Sequence, residues 1–313
     1  MKRYRFVLVT LMCSSLHTLA SGAAASTAAQ PKATDELSKR VHDLITKVKH
    51  SLRPIKGGTF EMGDWGMESG RPWDIDADSR PVHKVTLDSF SMMAYKVTYD
   101  DFDVFTDATG NERVAMDKFS VKDRAPRRPV GVSWHGAKAY CQWLAKNTNL
   151  RFDLPTEAQW EYAARSGGKR TLYSTNNGKI ERGRNFPREW QHGEKEPPLP
   201  DVGTYPPNPA GLYGMSEDTR EWVEDWYDEN YYKASPKNNP SGPATGTKKV
   251  QRGSGGGMAD GSAMVFMRMS AIPQPLEPTY PNGVGLGEVM VPFPGYSGYS
   301  DQNFRCVVSS RGK

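Results

Sequence analysis

A helical repeat of apolar residues marks the first part of the chain. Between Asp35 and Leu52 these residues return every three or four positions, at Leu37, Val41, Leu44, Ile45, Val48 and Leu52. That spacing is typical of the buried face of an amphipathic helix. Thr34 or Asp35 offers a capping side chain and Pro54 stops the run. The sequence therefore predicts a linker and an amphipathic helix over residues 26–53, packed on the domain that follows.

Shorter patterns predict further elements, separated by loops rich in Gly, Pro and Ser. Strands are predicted at residues 59–62, 84–90, 91–97 and 248–253. Helices are predicted at residues 98–109, 136–146 and 157–164, the last with Thr156 as its N-cap. This mixture predicts an α+β fold with a low content of regular secondary structure.

The stretch from Asn208 to Tyr227 combines a turn with aromatic and acidic residues. Trp222 and Trp226 are four positions apart, a spacing that places two rings on one face of a helical turn. Carboxylates beside such rings are costly to bury alone, so they need a cation, backbone N–H groups or water. Two interpretations stay open: solvated acids at the edge of a core, or an oxygen-ligand site for a hard cation such as calcium.

The first residues have the pattern of a secretory leader. Lys2, Arg3 and Arg5 precede an apolar run, and Ala23–Ala25 offers a small-residue cleavage site, so residues 1–25 are predicted to be a signal peptide. The apolar run is shorter than the ~20 residues that a membrane span needs. We therefore expect a periplasmic protein that is not embedded in a membrane.

Net charge argues against a polyanionic partner. The formal charge is +5, and the leader contains three basic residues and no acid, which leaves 5 − 3 = +2 for the rest of the chain. Because phosphate-backbone binding requires a strongly basic surface, we expect no nucleic-acid partner.

A long Pro/Gly-rich loop at residues 272–300 is the candidate contact surface. Loops of this length within a domain are usually functional or mobile. Its apolar side chains are Tyr280, Val284, Leu286, Val289, Met290, Val291, Phe293, Tyr296 and Tyr299. The alternative is that the loop folds back and covers a pocket.

Several sequence blocks resemble the formylglycine-generating (sulfatase-modifying) enzyme family, in family order. The blocks are Gly57–Gly63, Pro81–Leu87, Val132–Trp134 with Ala139–Trp143, Leu154–Arg165, Gly211–Trp222 and Asn303–Cys306. The resemblance covers residues 54–308 and implies a family-like domain at 54–310 with a loop-rich, C-type-lectin-like fold. The resemblance predicts the fold more specifically than the function, because proteins of one fold can carry different functional sites.

Two cysteines, Cys141 and Cys306, lie outside the leader. In an oxidising compartment two cysteines indicate a disulfide, and the alternative is two separate buried thiols. The resemblance implies the disulfide, because the family joins these two positions.

The resemblance also implies two structural calcium sites. The first would use Asn185, Phe186 and Glu194. The second would use Glu221 and the backbone carbonyls of Glu217 and Thr219, and the family's asparagine ligand of that site aligns with Gly214, which has no side-chain oxygen. We therefore expect calcium as the cofactor.

The family's oxidase chemistry needs two cysteines after a Gly/Ser-rich strand end, since thiolates bind Cu(I) and one of them engages the substrate thiol. Met258 and Ala263 stand at those positions, Gly255 replaces a pocket serine and Arg220 replaces a pocket tryptophan. The sequence therefore predicts no catalytic residues of this kind, no formylglycine generation and no copper. No iron is expected either, because the histidines outside the leader show no short metal-binding spacing.

Two functional hypotheses follow, with a structural role for the N-terminal helix as a third. In the first, the protein is a non-catalytic binding protein that resembles periplasmic immunity proteins, and it neutralises a secreted antibacterial effector of the phospholipase type delivered by a type VI system. In the second, it is a periplasmic oxidative tailoring enzyme acting on a siderophore or peptide. The residues proposed to contact a partner are Arg220, Met258, Tyr280, Leu286, Val289, Phe293, Tyr296 and Tyr299.

Overall fold

The computed structural model describes residues 30–118, 120–189, 198–217, 219–254, 260–279 and 289–310, with backbone only at 30–33. The predicted leader, residues 1–25, lies outside these ranges. Within them the α-helices are α1 (Gln30–Ser51), α2 (Tyr99–Thr109), α3 (Trp134–Thr148) and α4 (Glu157–Ala164). The strands are β1 (Leu52–Ile55), β2 (Gly58–Met62), β3 (His83–Leu87), β4 (Phe90–Met93), β5 (Phe152–Asp153), β6 (Arg220–Trp226), β7 (Lys249–Gly253), β8 (Arg268–Ala271), β9 (Leu276–Thr279), β10 (Val289–Pro292), β11 (Gln302–Asn303) and β12 (Val307–Ser309).

Helix α1 is longer than the sequence pattern predicted. It begins at Gln30 rather than after a cap at Thr34 or Asp35. The segment before Asp35 contains good helix formers, and a proline is tolerated in the first turn of a helix, so nothing there stops the helix. Among the described helices, none is both long enough and apolar enough to cross a membrane.

The apolar face of α1 packs on the domain, as predicted. Leu44 and Val48 are buried in the same core cluster as the aromatic side chains of α2. On the adjoining polar edge, the Lys47 ammonium donates to the carboxylate of Asp101 in α2 at 2.7 Å. The helix is therefore part of the domain's packing.

One four-stranded sheet has the order β1-β4-β12-β5, with every pair antiparallel. Helices α2 and α3 contribute much of the core beside it, and Phe102 and Phe105 of α2 face inward, the positions that helical spacing favours for apolar residues. Helix α3 begins after Ser133, whose hydroxyl accepts the N–H of Gly136, and Leu144 in α3 is fully buried. This half of the molecule is held by helix packing over a short sheet.

Strand β4 ends at Met93, although the sequence predicted a strand to Val97. Residues 94–97 instead form backbone hydrogen bonds with four separate parts of the chain, near Ser51, Val130, Tyr213 and Phe304. Ala94 donates to the Ser51 carbonyl, while Val97 donates to the Phe304 carbonyl. Hydrogen bonds to distant residues take the place of strand pairing at residues 94–97. These bonds position the chain between the first sheet and the second.

The second four-stranded sheet has the order β11-β6-β7-β8. It corrects the prediction that Trp222 and Trp226 lie on a helical turn, because both belong to β6. Residues four apart also share a face of a strand, and pairing with β7, where Trp222 faces Gln251, decides between the two geometries. Two hairpins, β2–β3 and β9–β10, complete the sheets of the described ranges. The architecture is α+β and loop-rich, as predicted.

Helix α4 lies between β2, β6 and β7. It begins with the predicted cap: the Thr156 hydroxyl accepts the Gln159 N–H, and the Gln159 side chain accepts the Thr156 N–H. Trp160 and Ala163 are fully buried in the second hydrophobic core. Helix α4 also presents two glutamates to that interior, and they define the charge pattern of the site.

Candidate functional site

The end of β7 is the place where the resemblance locates the family's reactive cysteines. Ser254 follows the strand and is buried, and its hydroxyl has no hydrogen-bond partner among the described residues. Met258 and Gly255 lie outside the described residues. Ala263 ends a 3₁₀ turn, is buried, and has an apolar side chain. Of the predicted positions that the structure describes here, none presents a thiol.

Arg220 lies at the start of β6. It is the residue that aligns with the family's pocket tryptophan. Its guanidinium donates to the carboxylate of Asp301 at 2.5 Å, and both side chains are about one-third exposed. The Arg220 backbone N–H also donates to the Asp301 carbonyl. The residue therefore fastens the segment before β11 to β6.

A buried ion cluster lies under β7, on the side that faces α4. The Arg252 guanidinium donates to Glu157 and to Glu161, both at 2.7 Å. Arg268 adds a 2.7 Å bond to Glu157, and Arg165 adds a 3.0 Å bond to Glu161. The five side chains are almost completely excluded from solvent. Each carboxylate is therefore shared by two arginines.

Electrostatics in the cluster favour the charged form of the glutamate. Burial alone would raise the pKa of Glu157, but the positive charges of Arg268 and Arg252 outweigh it and lower that pKa below its usual value. Sequence reasoning missed this cluster. Two glutamates four positions apart on an otherwise apolar helix were the available signal, because buried carboxylates require cationic partners.

The disulfide that the resemblance implied is confirmed. Cys141 in α3 and Cys306 before β12 are bonded, with their Cα atoms 5.7 Å apart. Both residues are fully buried. The bond joins the helical half of the molecule to the C-terminal strand, and it engages both cysteines outside the leader, so neither is available as a thiolate.

The first predicted calcium group is described only in part, because Glu194 lies outside the described residues. Asn185 is buried, and its amide nitrogen donates to the side-chain oxygens of Asn176 and Asn177 and to the carbonyl of Lys179. The Phe186 carbonyl accepts a hydrogen bond from Gly183. The Asn185 side-chain oxygen, the predicted ligand atom, accepts the Glu181 N–H at 2.7 Å. Calcium at this place stays a prediction.

The residues of the second predicted calcium site, Glu217, Thr219 and Glu221, lie close together. Cationic side chains, however, already donate hydrogen bonds to the oxygen atoms of Thr219 and Glu221. Arg305 donates to both carboxylate oxygens of Glu221, at 2.7 and 2.8 Å. The Lys96 ammonium donates to the Thr219 carbonyl at 3.2 Å and to its hydroxyl at 2.5 Å. Calcium requires six to eight oxygen ligands free of such partners, so this donor set does not fit the ion.

Glu217 was predicted to contribute its backbone carbonyl, and that carbonyl accepts the Thr219 N–H at 3.0 Å. The Glu217 side chain turns its carboxylate back onto its own loop. Its two oxygens accept the N–H groups of Gly214, at 3.2 Å, and Ser216, at 3.0 Å. Burial raises the pKa of Glu217, and the charge of Lys96 partly offsets the effect. Across the described residues, no three His, Cys, Asp or Glu side chains form a group suited to a metal ion.

The predicted contact loop is divided by the structure. Val289 and Met290 of β10 are 49% and 46% exposed, and Tyr299 is 41% exposed. Phe293, by contrast, is buried, and Tyr296 packs against the rings of α2. Phe293 is therefore not available for contact, while Tyr296 is only partly buried. In this part of the loop the alternative holds, in which the loop folds back onto the core. Tyr280, Val284 and Leu286 lie outside the described residues.

A cavity of about 340 Å³ opens beside the β9–β10 hairpin. Its lining includes Tyr99, Phe293, Tyr299 and the carboxylate of Glu277. Burial, followed by the negative charge of Asp117, raises the pKa of Glu277. An exposed apolar strand next to an open, partly acidic cavity is a surface suited to contact with another molecule.

Comparison with known proteins supplies the family context. Residues 45–285 match the FGE-sulfatase family, described as the Sulfatase-modifying factor enzyme 1-like domain. The chain is 35% identical over 219 residues to serine/threonine-protein kinase pkn1 of Chlamydia pneumoniae, a match that covers 64% of this chain and 32% of that protein. It is 32% identical over 250 residues to the formylglycine-generating enzyme of Streptomyces coelicolor, covering 64% of this chain and 76% of the enzyme.

Among solved structures, PvdO from Pseudomonas aeruginosa superposes with a TM-score of 0.61 at 23% identity, over 82% of this chain and 93% of that chain. At this identity the match supports the fold alone. The chain spans about a third of the length of the Chlamydia kinase that it matches.

Proposed function

The chain belongs to the Sulfatase-modifying factor enzyme 1-like family, and from this premise we propose that it is a non-catalytic binding protein built on that family's scaffold. The observation that supports the proposal most strongly concerns sulfur. Outside residues 1–25 the cysteines are Cys141 and Cys306, and they are bonded to each other. Formylglycine generation needs a reactive thiolate, and while these two cysteines are bonded to each other neither can supply it.

The proposed contact surface is the β9–β10 hairpin with Tyr299. The exposed side chains of Val289 and Met290 offer apolar area that a partner would bury, and Tyr299 offers a ring with a polar end. The adjacent cavity would accept a protruding side chain of the partner. We propose that this surface binds another protein.

The finer proposal is that the protein is a periplasmic immunity protein. A leader-like N-terminus, a scaffold without the family's thiol pair and an apolar surface together fit a protein that neutralises a secreted antibacterial effector. The effector class, a phospholipase delivered by a type VI system, comes from the resemblance alone.

Affinity capture tests the binding proposal. The tagged full chain should retain the effector from an effector-producing sibling strain, whereas the variant V289E/M290E should lose it, because two charges in a desolvated contact are strongly unfavourable. The variant I75E is the matched control, since Ile75 is an apolar side chain that is 97% exposed and distant in sequence. Capture that is unaffected by V289E/M290E would overturn the proposed surface.

Competition between strains tests the immunity role. A strain lacking the gene should be killed by effector-secreting siblings and should be rescued by the wild-type gene. Survival of the deletion strain at the wild-type level would overturn the immunity role while leaving protein binding open to the capture assay.

A second candidate is the oxidative tailoring enzyme. The observation that favours it is the pair Gln251 and Ser254 in and after β7, which are buried and lack hydrogen-bond partners among the described residues. Unpaired polar groups at this strand end are what a pocket for a polar substrate would present. This candidate predicts an oxygen-dependent product and a bound transition metal in freshly purified protein. Freshly purified protein that contains no transition metal and gives no oxygen-dependent product would argue against it.

A further inference from the structure

A lysine is buried beside the loop that the family resemblance assigns to a cation. Lys96 is only 4% exposed, and its ammonium lies within hydrogen-bond distance of both the carbonyl and the hydroxyl oxygens of Thr219. Lys96 follows β4, in the segment where Ala94 and Val97 form hydrogen bonds with distant residues and not with a neighbouring strand. Its position is therefore fixed by the fold on both sides.

The oxygens nearby are matched by fixed positive charge. Arg305 binds Glu221 through two hydrogen bonds and also donates to the Tyr213 carbonyl at 2.6 Å. The positive charge of Lys96 also stabilises the buried carboxylate of Glu217. Two cationic side chains, Lys96 and Arg305, thus contact the described residues of the loop at 213–221.

Gly214, which stands where the family has its asparagine ligand, lies next to the Lys96 ammonium. A Cβ atom built on Gly214 would lie 3.8 Å from Lys96 Cε and 3.9 Å from Lys96 Nζ. A side chain at position 214 would therefore extend into the surroundings of the ammonium. The missing side-chain oxygen and the additional charge are neighbours in space, although they are 118 residues apart in the chain (214 − 96 = 118).

We propose that the Lys96 ammonium takes the place of a divalent cation, so that the loop at residues 213–221 is stabilised by the chain's own charge and needs no calcium. An ammonium carries three N–H donors and is satisfied by about three acceptors. A calcium ion needs at least six oxygens and would be repelled by an ammonium already bonded to the same carbonyl. The inference concerns the scaffold and is independent of the proposed partner.

Hydrogen exchange on the wild-type chain is the first test. Protection of the amides at residues 213–221 should be the same in excess EDTA and in millimolar calcium. A calcium-dependent increase in protection within this loop would overturn the proposal. The measurement requires no variant, and calcium bound near Asn185 would be reported by peptides from residues 176–186.

Removing the ammonium and restoring a ligand is the second test. The variant K96A/G214N should bind one calcium ion more than the wild type in a calcium titration. In EDTA it should melt about 10 °C lower, because a buried charge has lost its partner. Millimolar calcium should recover most of that shift. Asparagine tolerates the left-handed backbone of position 214, where φ is +68°.

The control variant is K96M/G214N, in which an apolar side chain fills the space of the lysine. It should show the same loss in EDTA but no recovery with calcium. Equal calcium stoichiometry in the wild type and in K96A/G214N would overturn the proposal. If K96A/G214N does not fold in calcium, the exchange experiment on the wild type decides the question alone.

Discussion

Strand β7 contacts two regions that differ in how well their polar groups are matched. Arg252 belongs to the ion cluster beside α4, where every carboxylate oxygen of Glu157 and Glu161 accepts at least one hydrogen bond. Among the donors of that cluster, Arg252 Nε and Arg165 Nη2 have no partner in the described residues, so the matching is complete for the carboxylates only. Two residues later, Ser254 is equally buried, yet its hydroxyl has no partner among the described residues. The matched region maintains the fold, and the unmatched one is where the family's sulfur chemistry is missing.

The difference indicates which interactions the scaffold depends on. A buried ion cluster is unfavourable unless it is complete, so loss of any member is costly and the whole set tends to persist. A reactive site contributes no comparable stability and can be lost while the fold is kept. The contrast separates groups that stabilise the fold from groups that do not, and the following predictions test it from the largest expected effect to the smallest.

The disulfide should give the largest effect. The variant C141A/C306A removes a cross-link between residues 165 positions apart. The chain-entropy model then predicts a loss of about 5 kcal/mol in the free energy of unfolding, because the unfolded chain is no longer constrained. Urea denaturation of the variant, with reduced wild-type protein as control, checks this. A loss below about 1 kcal/mol would show that the cross-link does not support the scaffold.

Arg252→Met should give the next largest effect, about 3–5 kcal/mol of lost stability, since Glu157 and Glu161 each lose a buried cationic partner. Thermal and urea denaturation measure it. The matched control is Arg170→Met, which also removes an arginine bonded to two glutamates, Glu61 and Glu68, but at an exposed site. It should hardly change the melting temperature. Equal effects of the two variants would remove the basis of the comparison.

Asp225 should make the stability depend on pH. Burial, and then the negative charge of Glu157, raise the pKa of Asp225 to about 8 in the folded state. Between its unfolded pKa of about 4 and that value, the folded protein keeps a proton that the unfolded chain releases, so stability falls as pH rises. The contribution approaches about 1.4 kcal/mol per pH unit and should be absent in Asp225→Asn. Urea denaturation of both proteins at pH 5, 6 and 7 checks it, and parallel profiles would contradict it.

Ser254→Ala should give the smallest effect. Removing a hydroxyl that has no described partner should change the free energy of unfolding by less than about 1 kcal/mol. Partner capture should also be unchanged under the binding proposal. If the tailoring hypothesis were correct, the same variant would lose oxygen-dependent turnover, so the assay separates the two functions.

Local chemistry made several elements predictable from the sequence. The cap at Thr156 and the inward-facing rings of α2 follow from hydrogen-bonding capacity and helical spacing, which act over a few residues. The pairing of Cys141 with Cys306 followed from the family resemblance. The missing thiols at Met258 and Ala263 were visible as residue identities alone.

Only the tertiary structure decided what depends on distant partners. Trp222 and Trp226 lie in a strand because β7 pairs with them, and Phe293 is buried because its loop folds back. The partners of Glu157 and of Thr219 are 95 and 123 residues away in the chain. Sequence spacing determines which side chains share a face of one element. The neighbours that neutralise a buried charge are fixed only when the elements pack.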